Sequence, residues 1–208
     1  MGQRADARTR LVSAATAAFA ERGYHATTTR DIAARAGMSP AAVYVHHSSK
    51  EELLFLISRD GHDTALQVLR EASPDDAEPF TRLRDTVRAF TLWHARHHTA
   101  ARVVQYELAA LSPEHRREIG ARRRDIDQHM RDVITAGVDQ SVFDVPDIPG
   151  TTLALLSLAV DVARWYRDDG RRSAESVADL YADLAVRMVR ARGPVSAAGR
   201  TADTAPVI

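Results

Sequence analysis

The chain has 208 residues, a formal net charge of zero, and 45% hydrophobic and 27% charged residues, as an ordinary globular protein has. This length fits one large domain or a small domain joined to a medium-sized one. No apolar run reaches the ~18–20 residues that a membrane span requires, and the absence of cysteine excludes disulfides, thiolate metal sites and cysteine nucleophiles.

Charge is unevenly distributed along the chain. Seven basic and three acidic residues give residues 1–50 a net charge of +4, which leaves −4 on the remainder. This asymmetry suggests that an anionic partner is met at the N-terminal end. No apolar segment follows the basic residues of "MGQRADARTR", so no secretory signal is predicted and a cytoplasmic location is expected.

Helical periodicity runs through nearly every segment, and none shows a sustained period-two alternation of β-branched residues. We therefore predict an all-α fold. About nine helices are expected, at residues 6–22, 28–37, 39–47, 49–71, 80–98, 99–111, 113–137, 151–166 and 174–191. The tail, residues 193–208, is small, polar and rich in breakers, and is predicted to be disordered.

The stretch "TTRDIAARAGMSPAAVYVHHSSKEELL" has the pattern of a helix-turn-helix. Thr28 and Asp31 resemble a capping box, Gly37 suits the turn, and Ser39 with Pro40 begins the second short helix. A helix this short does not form alone. We expect an apolar seam to support it, made of Leu11, Phe19, Ile32, Ala33, Ala36 and Val43.

The outer face of the second short helix is then free to meet a partner. Its small residues allow close approach, and Tyr44 and His46 can donate hydrogen bonds to phosphates or base edges. Lys50 begins the next helix, where a phosphate could meet both the ammonium and free N–H groups. The predicted DNA contacts are Thr28, Thr29, Arg30, Ser39, Ala41, Tyr44, Val45, His46 and Lys50.

A longer motif extends this interpretation. The segment "AAFAERGYHATTTRDIAARAGMSPAAVYVHHSSKEELL" resembles, in order and spacing, the DNA-binding domain of the tetracycline-repressor (TetR) family of bacterial regulators. The resemblance implies a DNA-binding domain over residues 1–50 and a helical ligand-binding and dimerisation domain over residues 51–192. In the family, the last two helices of each subunit form a four-helix interface. One departure is His47, which stands where the family usually has phenylalanine.

Two segments of the body fit either an intramolecular core or a subunit interface. "TTLALLSLAVDVARWY" is apolar around most of its circumference. The last helix carries a stripe at helical spacing, made of Val177, Leu180, Tyr181, Leu184 and Met188. A homodimer is expected, because two recognition helices must reach major grooves about one helical turn apart.

Aromatic and polar side chains of the body suggest a small-molecule pocket. The predicted ligand contacts are Trp93, His97, Arg102, Tyr106, His129 and Trp165. The i, i+3, i+4 spacing of His94, His97 and His98 is compatible with zinc, but no HExxH motif or nearby carboxylate accompanies it. We therefore predict no metal and no cofactor.

Longer segments of the body, among them "FTLWHARHHTAARVVQYELAALSPEHRREIGARRRDI", are similar to TetR regulators of fatty-acid and steroid catabolism, which respond to acyl-CoA thioesters. "RWYRDDG" departs from the usual Arg-Pro-Gly-Gly of that subgroup after its Trp-Tyr pair. The resemblance implies an apolar tunnel and an arginine patch for the CoA phosphates. Arg122, Arg123 and Arg124 are candidates for that patch, although such a run is commonly a solvated helix face.

The competing classes are an enzyme and a ligand-free helical binding protein. No GxSxG, GxGxxG, P-loop or HExxH motif occurs, so no enzyme is predicted. The expected function is that of a repressor that binds double-stranded operator DNA and releases it when a small molecule enters the helical body. No membrane partner is expected.

Overall fold

The computed structural model describes residues 2–189, with side chains from Asp6 onward. The predicted tail and the predicted end of the last helix lie outside these residues. The described part of the chain contains nine α-helices: α1 (Gly2–Arg22), α2 (Thr29–Arg35), α3 (Pro40–His46), α4 (Lys50–Glu71), α5 (Pro79–Arg96), α6 (His98–Glu107), α7 (Pro113–Asp139), α8 (Ile148–Trp165) and α9 (Ala174–Met188). The predicted all-α fold is confirmed.

Most helix boundaries agree with the predicted ones. A three-residue 3-10 turn, Leu108–Ala110, replaces the end of the helix that was expected to run to residue 111. The start of α8 was predicted too late, because Pro149 was assigned to a loop. Proline is tolerated in the first turn of a helix, and the side chain of Asp147 caps this turn by accepting from the backbone N–H of Gly150.

The predicted start and stop signals of the first helices are confirmed. Thr28 and Asp31 form a complete capping box at α2, and Ser39 and Ser49 cap α3 and α4 with their side-chain oxygens. Gly37 has a φ of 65°, a left-handed conformation that a residue with a Cβ adopts only with strain. These local hydrogen bonds set where each short helix begins and how α2 turns into α3.

The N-terminal helices share one hydrophobic core with the body. The predicted seam is confirmed, since Leu11, Phe19, Ile32 and Val43 are all buried. The same core also contains residues of α6 and α7, among them Val103 and Ile119. Consequently α1 to α3 do not form a separate globule, and α6 packs directly beneath them.

A second core joins the later half of α4 to α5, α7, α8 and α9. Leu69, Phe90 and Ile134 are fully or almost fully buried in it. The last helix lies close against the preceding layer because its inward face carries small residues, including Ala182 and Ala185. This second layer of helices forms the body of the protein.

His47 is a polar residue within the first core. Its side chain is buried, and neither ring nitrogen has a hydrogen-bond partner. The nearest acid is Glu52, whose Oε1 lies 4.0 Å from Nδ1. Burial lowers the pKa of His47, with the carboxylate of Glu52 opposing the shift. An unpaired buried imidazole is a cost that the phenylalanine usual at this position in the TetR family avoids.

We expect His47→Phe to raise the free energy of unfolding at neutral pH by about 1–2 kcal/mol, since it removes a buried group without partners. The folded-state pKa of His47 lies below its ordinary value of 6.5. The stability of the wild type therefore falls as pH drops below 6.5, because the unfolded state binds a proton that the folded state does not yet bind.

The advantage of His47→Phe should accordingly grow from about pH 8 to about pH 5. Urea unfolding of both proteins across this range measures it. Because the other histidines titrate equally in the two proteins, the difference between their unfolding free energies reports on His47. A variant that is less stable than the wild type at both ends of the range contradicts this account.

Candidate nucleic-acid and effector sites

The turn between α2 and α3 fixes the orientation of α3. The N–H of Gly37 donates to the carbonyl of Ala34 at 3.1 Å, and the N–H of Met38 donates to that of Ala33 at 2.9 Å. Val43 is completely buried on the inner side of α3. Since one side of this two-turn helix is held in the core, the opposite side faces outward.

The outward side of α3 carries the large exposed side chains of this region. Tyr44 is 59% exposed and Val45 is 74% exposed. The Tyr44 hydroxyl lies 3.3 Å from Oγ1 of Thr29, which joins α3 to the first turn of α2. Such an amphipathic surface, with apolar groups and hydroxyl donors, has the composition that major-groove contacts require.

The other predicted DNA contacts lie at different degrees of exposure. Thr28, Arg30, Ser39 and Ala41 are exposed, whereas His46 is half-buried. Thr28 is already engaged, because its hydroxyl donates to Asp31 Oδ2 at 2.7 Å and accepts from the Asp31 N–H. These bonds from Thr28 lower the pKa of the Asp31 carboxyl. Thr28 therefore shapes the start of α2.

Lys50 has a different environment from the one predicted. Its ammonium donates to the carbonyls of Tyr24 at 2.7 Å and Thr27 at 2.8 Å, and lies 4.1 Å from the centroid of the Tyr24 ring. Desolvation lowers the pKa of Lys50, with Glu107 opposing. The lysine thus fastens the α1–α2 turn to the start of α4, and two of its three N–H donors are engaged there. Lys50 therefore has a structural role that the sequence did not predict, and its phosphate contact stays a prediction.

A cavity of about 600 Å³ lies among α1, α4, α5, α6, α7 and α8. Most of its wall is apolar, including Phe90, Val104 and Leu156. This size and lining are typical of small-molecule sites, which measure roughly 300–1,000 Å³. Val12 and Thr16 of α1 also line the cavity, so the wall includes a helix of the N-terminal core.

Two of the six predicted ligand contacts line this cavity. They are Trp93 and His97, whose rings are stacked with centroids 5.0 Å apart. His94, in the last turn of α5, also lines the cavity. Burial lowers the pKa of His94 to about 4, so its ring is neutral at physiological pH. The cavity therefore contains a neutral aromatic and imidazole wall.

The other four predicted contacts do not line the cavity. Arg102 and Tyr106 each follow a cavity-lining residue of α6 by one position, and the 100° rotation per residue turns them away. His129 hydrogen-bonds through Nε2 to Oγ of Ser73 at 2.7 Å, on another face of α7. Trp165 lies exposed at the end of α8.

The histidine triplet does not form a metal site in the structure. Nδ1 of each of His94, His97 and His98 lies 2.9 Å from a main-chain carbonyl three or four residues earlier. A carbonyl only accepts, so each Nδ1 is the donor. Across residues 2–189, side chains of His, Asp and Glu nowhere gather in a group of three or more that could hold a metal ion.

Sequence reasoning missed a polar pair on the cavity wall. His62 of α4 and Arg123 of α7 both line the cavity, and Nε of Arg123 donates to Nε2 of His62 at 3.3 Å. Nδ1 of His62 donates to the carbonyl of Ser58 at 2.7 Å. Arg123 was considered only within an arginine run, and His62 carried no local signal, since it meets Arg123 only when α4 packs on α7.

Two family models match the chain, one over the predicted DNA-binding domain and one over the helical body. A model described as bacterial regulatory proteins, tetR family, matches residues 11–57, and one described as tetracyclin repressor-like, C-terminal domain, matches residues 76–189. The chain belongs to the TetR family. Regulators of this family bind operator DNA and small-molecule effectors as dimers, and the protein is a TetR-type transcriptional regulator.

Individual TetR relatives align over nearly the whole chain. The HTH-type transcriptional repressor KstR2 of Mycobacterium tuberculosis is 31% identical over 183 residues, 86% of this chain and 91% of the relative. A TetR-family regulatory protein from Rhodococcus RHA1 is 42% identical, with a TM-score of 0.85 over 90% of this chain and 98% of its own. AibR, solved with isovaleryl coenzyme A and operator DNA, is 26% identical, with a TM-score of 0.77 over 86% and 97%.

The two segments for which core and interface remained open both contribute to the core and both leave an apolar face exposed. Val177 of α9 is buried, whereas the large apolar residues on the outer faces of both segments are exposed: Leu158 and Trp165 of α8 and Leu180, Leu184 and Met188 of α9. Exposed apolar faces of this kind are typical of interaction surfaces, and regulators of the TetR family act as dimers. Within residues 2–189, no helix combines the length and the apolar character needed to cross a bilayer.

We expect Lys50→Ala to lower the free energy of unfolding by about 1.5–3 kcal/mol, since it removes two charge-assisted hydrogen bonds that hold the α1–α2 turn. Urea unfolding measures this loss. A lysine that served mainly as a phosphate contact would behave differently: its removal would leave stability unchanged and reduce the salt dependence of DNA binding by about one charge. That pattern contradicts the structural role.

Proposed function

We propose that this protein is a dimeric transcriptional repressor that leaves its operator when an acyl-CoA thioester enters the cavity. In this proposal, residues 1–50 bind DNA, residues 51–192 bind the effector and form the dimer, and the protein acts in the cytoplasm without catalysing a reaction. The observation that most supports this proposal is that Val12 and Thr16 of α1 line the cavity. An occupant therefore touches a helix that supports the recognition helix.

The proposed DNA surface consists of the exposed side of α3 and the first turn of α2. Tyr44 and Val45 project furthest from it, and Thr29 contacts Tyr44. The proposed contacts are Thr28, Thr29, Arg30, Ser39, Ala41, Tyr44, Val45 and His46. Lys50 is left out because its ammonium is bound to the α1–α2 turn.

Polar contacts connect the cavity to the DNA-binding helices. Gln105 of α6 lines the cavity, and Glu107 lies half a turn later, where its Oε1 accepts the N–H of Tyr24 at 2.9 Å. Glu51 of α4 accepts from the N–H of Ser112 at 2.8 Å. A ligand that displaces α6 therefore pulls on the α1–α2 turn. A coupling of about 1–3 kcal/mol, equivalent to roughly 5- to 150-fold in affinity, is sufficient for regulation.

Two relatives support the direction of regulation and the effector class. KstR2 is a repressor, and AibR was solved with both isovaleryl coenzyme A and operator DNA. The mostly apolar cavity suits an acyl group. Because His94 is neutral, the part of the wall that it forms places no buried charge next to the acyl group.

Tyr44→Ala tests the DNA surface. We expect it to weaken binding to a promoter fragment from beside the gene by about 10- to 100-fold, since hydrogen bonds and apolar contact with base edges are lost. Melting temperature should stay unchanged, because the side chain is exposed. Tyr106→Ala is a matched control: Tyr106 is 60% exposed, as Tyr44 is 59% exposed, but lies on α6. Equal affinities for both variants contradict the proposed surface.

Titration with acyl-CoA thioesters of increasing chain length tests the effector. Fluorescence anisotropy of the operator complex should fall as an acyl-CoA is added, with an affinity loss of roughly 5- to 150-fold at saturation. CoA without an acyl group serves as the control, because it leaves the apolar cavity unfilled. Specific retention of DNA that no acyl-CoA alters contradicts the effector class. Absence of any salt-sensitive DNA retention contradicts the repressor itself.

A further inference from the structure

His94 differs from the other polar residues that line the cavity, because its side chain alone among them is buried, with 6% of its surface exposed. Its Nδ1 donates to the carbonyl of Phe90, one turn earlier in α5, at 2.9 Å. The rings of Phe90 and Trp93 meet the imidazole edge-on, with centroids 4.4 and 4.8 Å from its own. The ring is therefore held with its second nitrogen, Nε2, directed away from the main chain of α5.

This second nitrogen is a hydrogen-bond acceptor. Nδ1 carries the ring proton, and burial lowers the pKa of His94 to about 4, so Nε2 is unprotonated at neutral pH. None of the described residues donates to it. Both ring nitrogens of His47 are sealed within the protein, whereas the ring of His94 borders an open cavity. A ligand that donates to Nε2 removes the cost of leaving a buried acceptor unpaired.

Other polar groups on the wall also present acceptors to the cavity. Oγ1 of Thr16 and Oγ1 of Thr64 donate to the carbonyl four residues earlier in their helices, at 2.9 and 2.8 Å. Nε2 of Gln105 donates to the carbonyl of Val160 at 2.9 Å, which leaves Oε1 as an acceptor. Because these protons are used within the protein, the lone pairs of the oxygens remain for a ligand.

Several hydrogen-bond donors of the wall are either enclosed or open to water. Nε1 of Trp93 has no partner among the described residues, but it is completely enclosed, so a ligand does not reach it in this arrangement. Arg123 and Ser157 are exposed, and water can satisfy them. The buried part of the wall at His94 therefore favours a ligand group that donates a hydrogen bond.

We infer that the effector carries a hydroxyl group on its apolar chain, and that this hydroxyl donates a hydrogen bond to Nε2 of His94. The inference deepens the proposed function and rests on it for the cavity as the effector site and for the acyl group. A hydroxyl is favoured over an amide, because an amide brings a carbonyl that needs a donor of its own beside the rings of Phe90 and Trp93. His94 thus selects hydroxylated acyl chains over plain or keto chains.

Matched probes separate a donor from a merely polar group. Decanoyl-CoA is compared with decanoyl-CoA hydroxylated at carbon 3, 6 or 9 and with the ketones at the same carbons. Calorimetric titration of the full-length protein should give about three- to tenfold tighter binding for at least one hydroxy probe than for decanoyl-CoA. The ketone at that carbon should bind no more tightly than decanoyl-CoA, because a ketone only accepts hydrogen bonds.

His94→Phe assigns this preference to His94. The variant should bind decanoyl-CoA at least as tightly as the hydroxy probe, since the hydroxyl then enters an apolar site without a partner. His98→Phe is the matched control: Nδ1 of His98 also donates to a main-chain carbonyl at 2.9 Å, but the residue does not line the cavity. It should keep the preference of the wild type.

Nitrogen-15 NMR of the histidine-labelled wild type tests the same contact without a variant, in case His94→Phe does not fold. The hydroxy probe should shift the resonance of one unprotonated ring nitrogen, because that nitrogen accepts a new hydrogen bond. The ketone at the same carbon should leave this resonance close to its position with decanoyl-CoA.

The inference is overturned if no hydroxy probe binds more tightly than decanoyl-CoA, if the matching ketone binds as tightly as the hydroxy probe, or if His94→Phe keeps the preference. Operator release, measured separately, distinguishes this failure from that of the proposed function. Release by decanoyl-CoA without any hydroxyl preference supports the repressor and overturns the inference. A hydroxyl preference that depends on His94, without operator release by any probe, does the reverse.

Discussion

The long helix α4 belongs to both hydrophobic cores, and this shared membership constrains the rest of the molecule. Leu53 and Leu54 near its start are completely buried with the DNA-binding helices, while Leu69 near its end is buried in the body. Protein interiors are close-packed, so one end of such a helix does not shift without repacking the other. At the start of α4, Lys50 fixes the α1–α2 turn and Glu51 contacts α7. The helix-turn-helix is thus positioned by the same element that borders the cavity.

Electrostatics in the cavity follow from burial as much as from sequence. His94 and His62 are each held neutral by desolvation, and each donates its Nδ1 proton to a carbonyl of its own helix. The two carboxylates of the wall are neutralised locally by neighbouring arginines. Arg123 adds an exposed guanidinium to a wall that is mostly apolar.

The features that sequence predicted well depend on residues close together in the chain. The capping box of Thr28 and Asp31, the turn at Gly37 and the caps at Ser39 and Ser49 each involve partners within about four residues. Four of the six predicted ligand contacts lie outside the cavity wall. The side of a helix that faces the cavity depends on how that helix is rotated about its axis, and sequence does not set this locally. The structural hydrogen bonds of Lys50 were missed for a related reason, since its acceptors lie 23 and 26 residues earlier in sequence. Periodicity identified the helices and left open which outer faces stay exposed.

The presence of Val12 and Thr16 of α1 in the cavity wall has an evolutionary consequence. Mutations that adapt the cavity to a new metabolite include positions on a helix that also packs within the DNA-binding core, through Leu11, Ala15 and Val12 itself. Such mutations are therefore pleiotropic, altering the basal level of gene silencing together with the identity of the inducing signal. Paralogues that diverge from this chain should change inducer most readily through α5 and α8, which contribute no residue to the DNA-binding core.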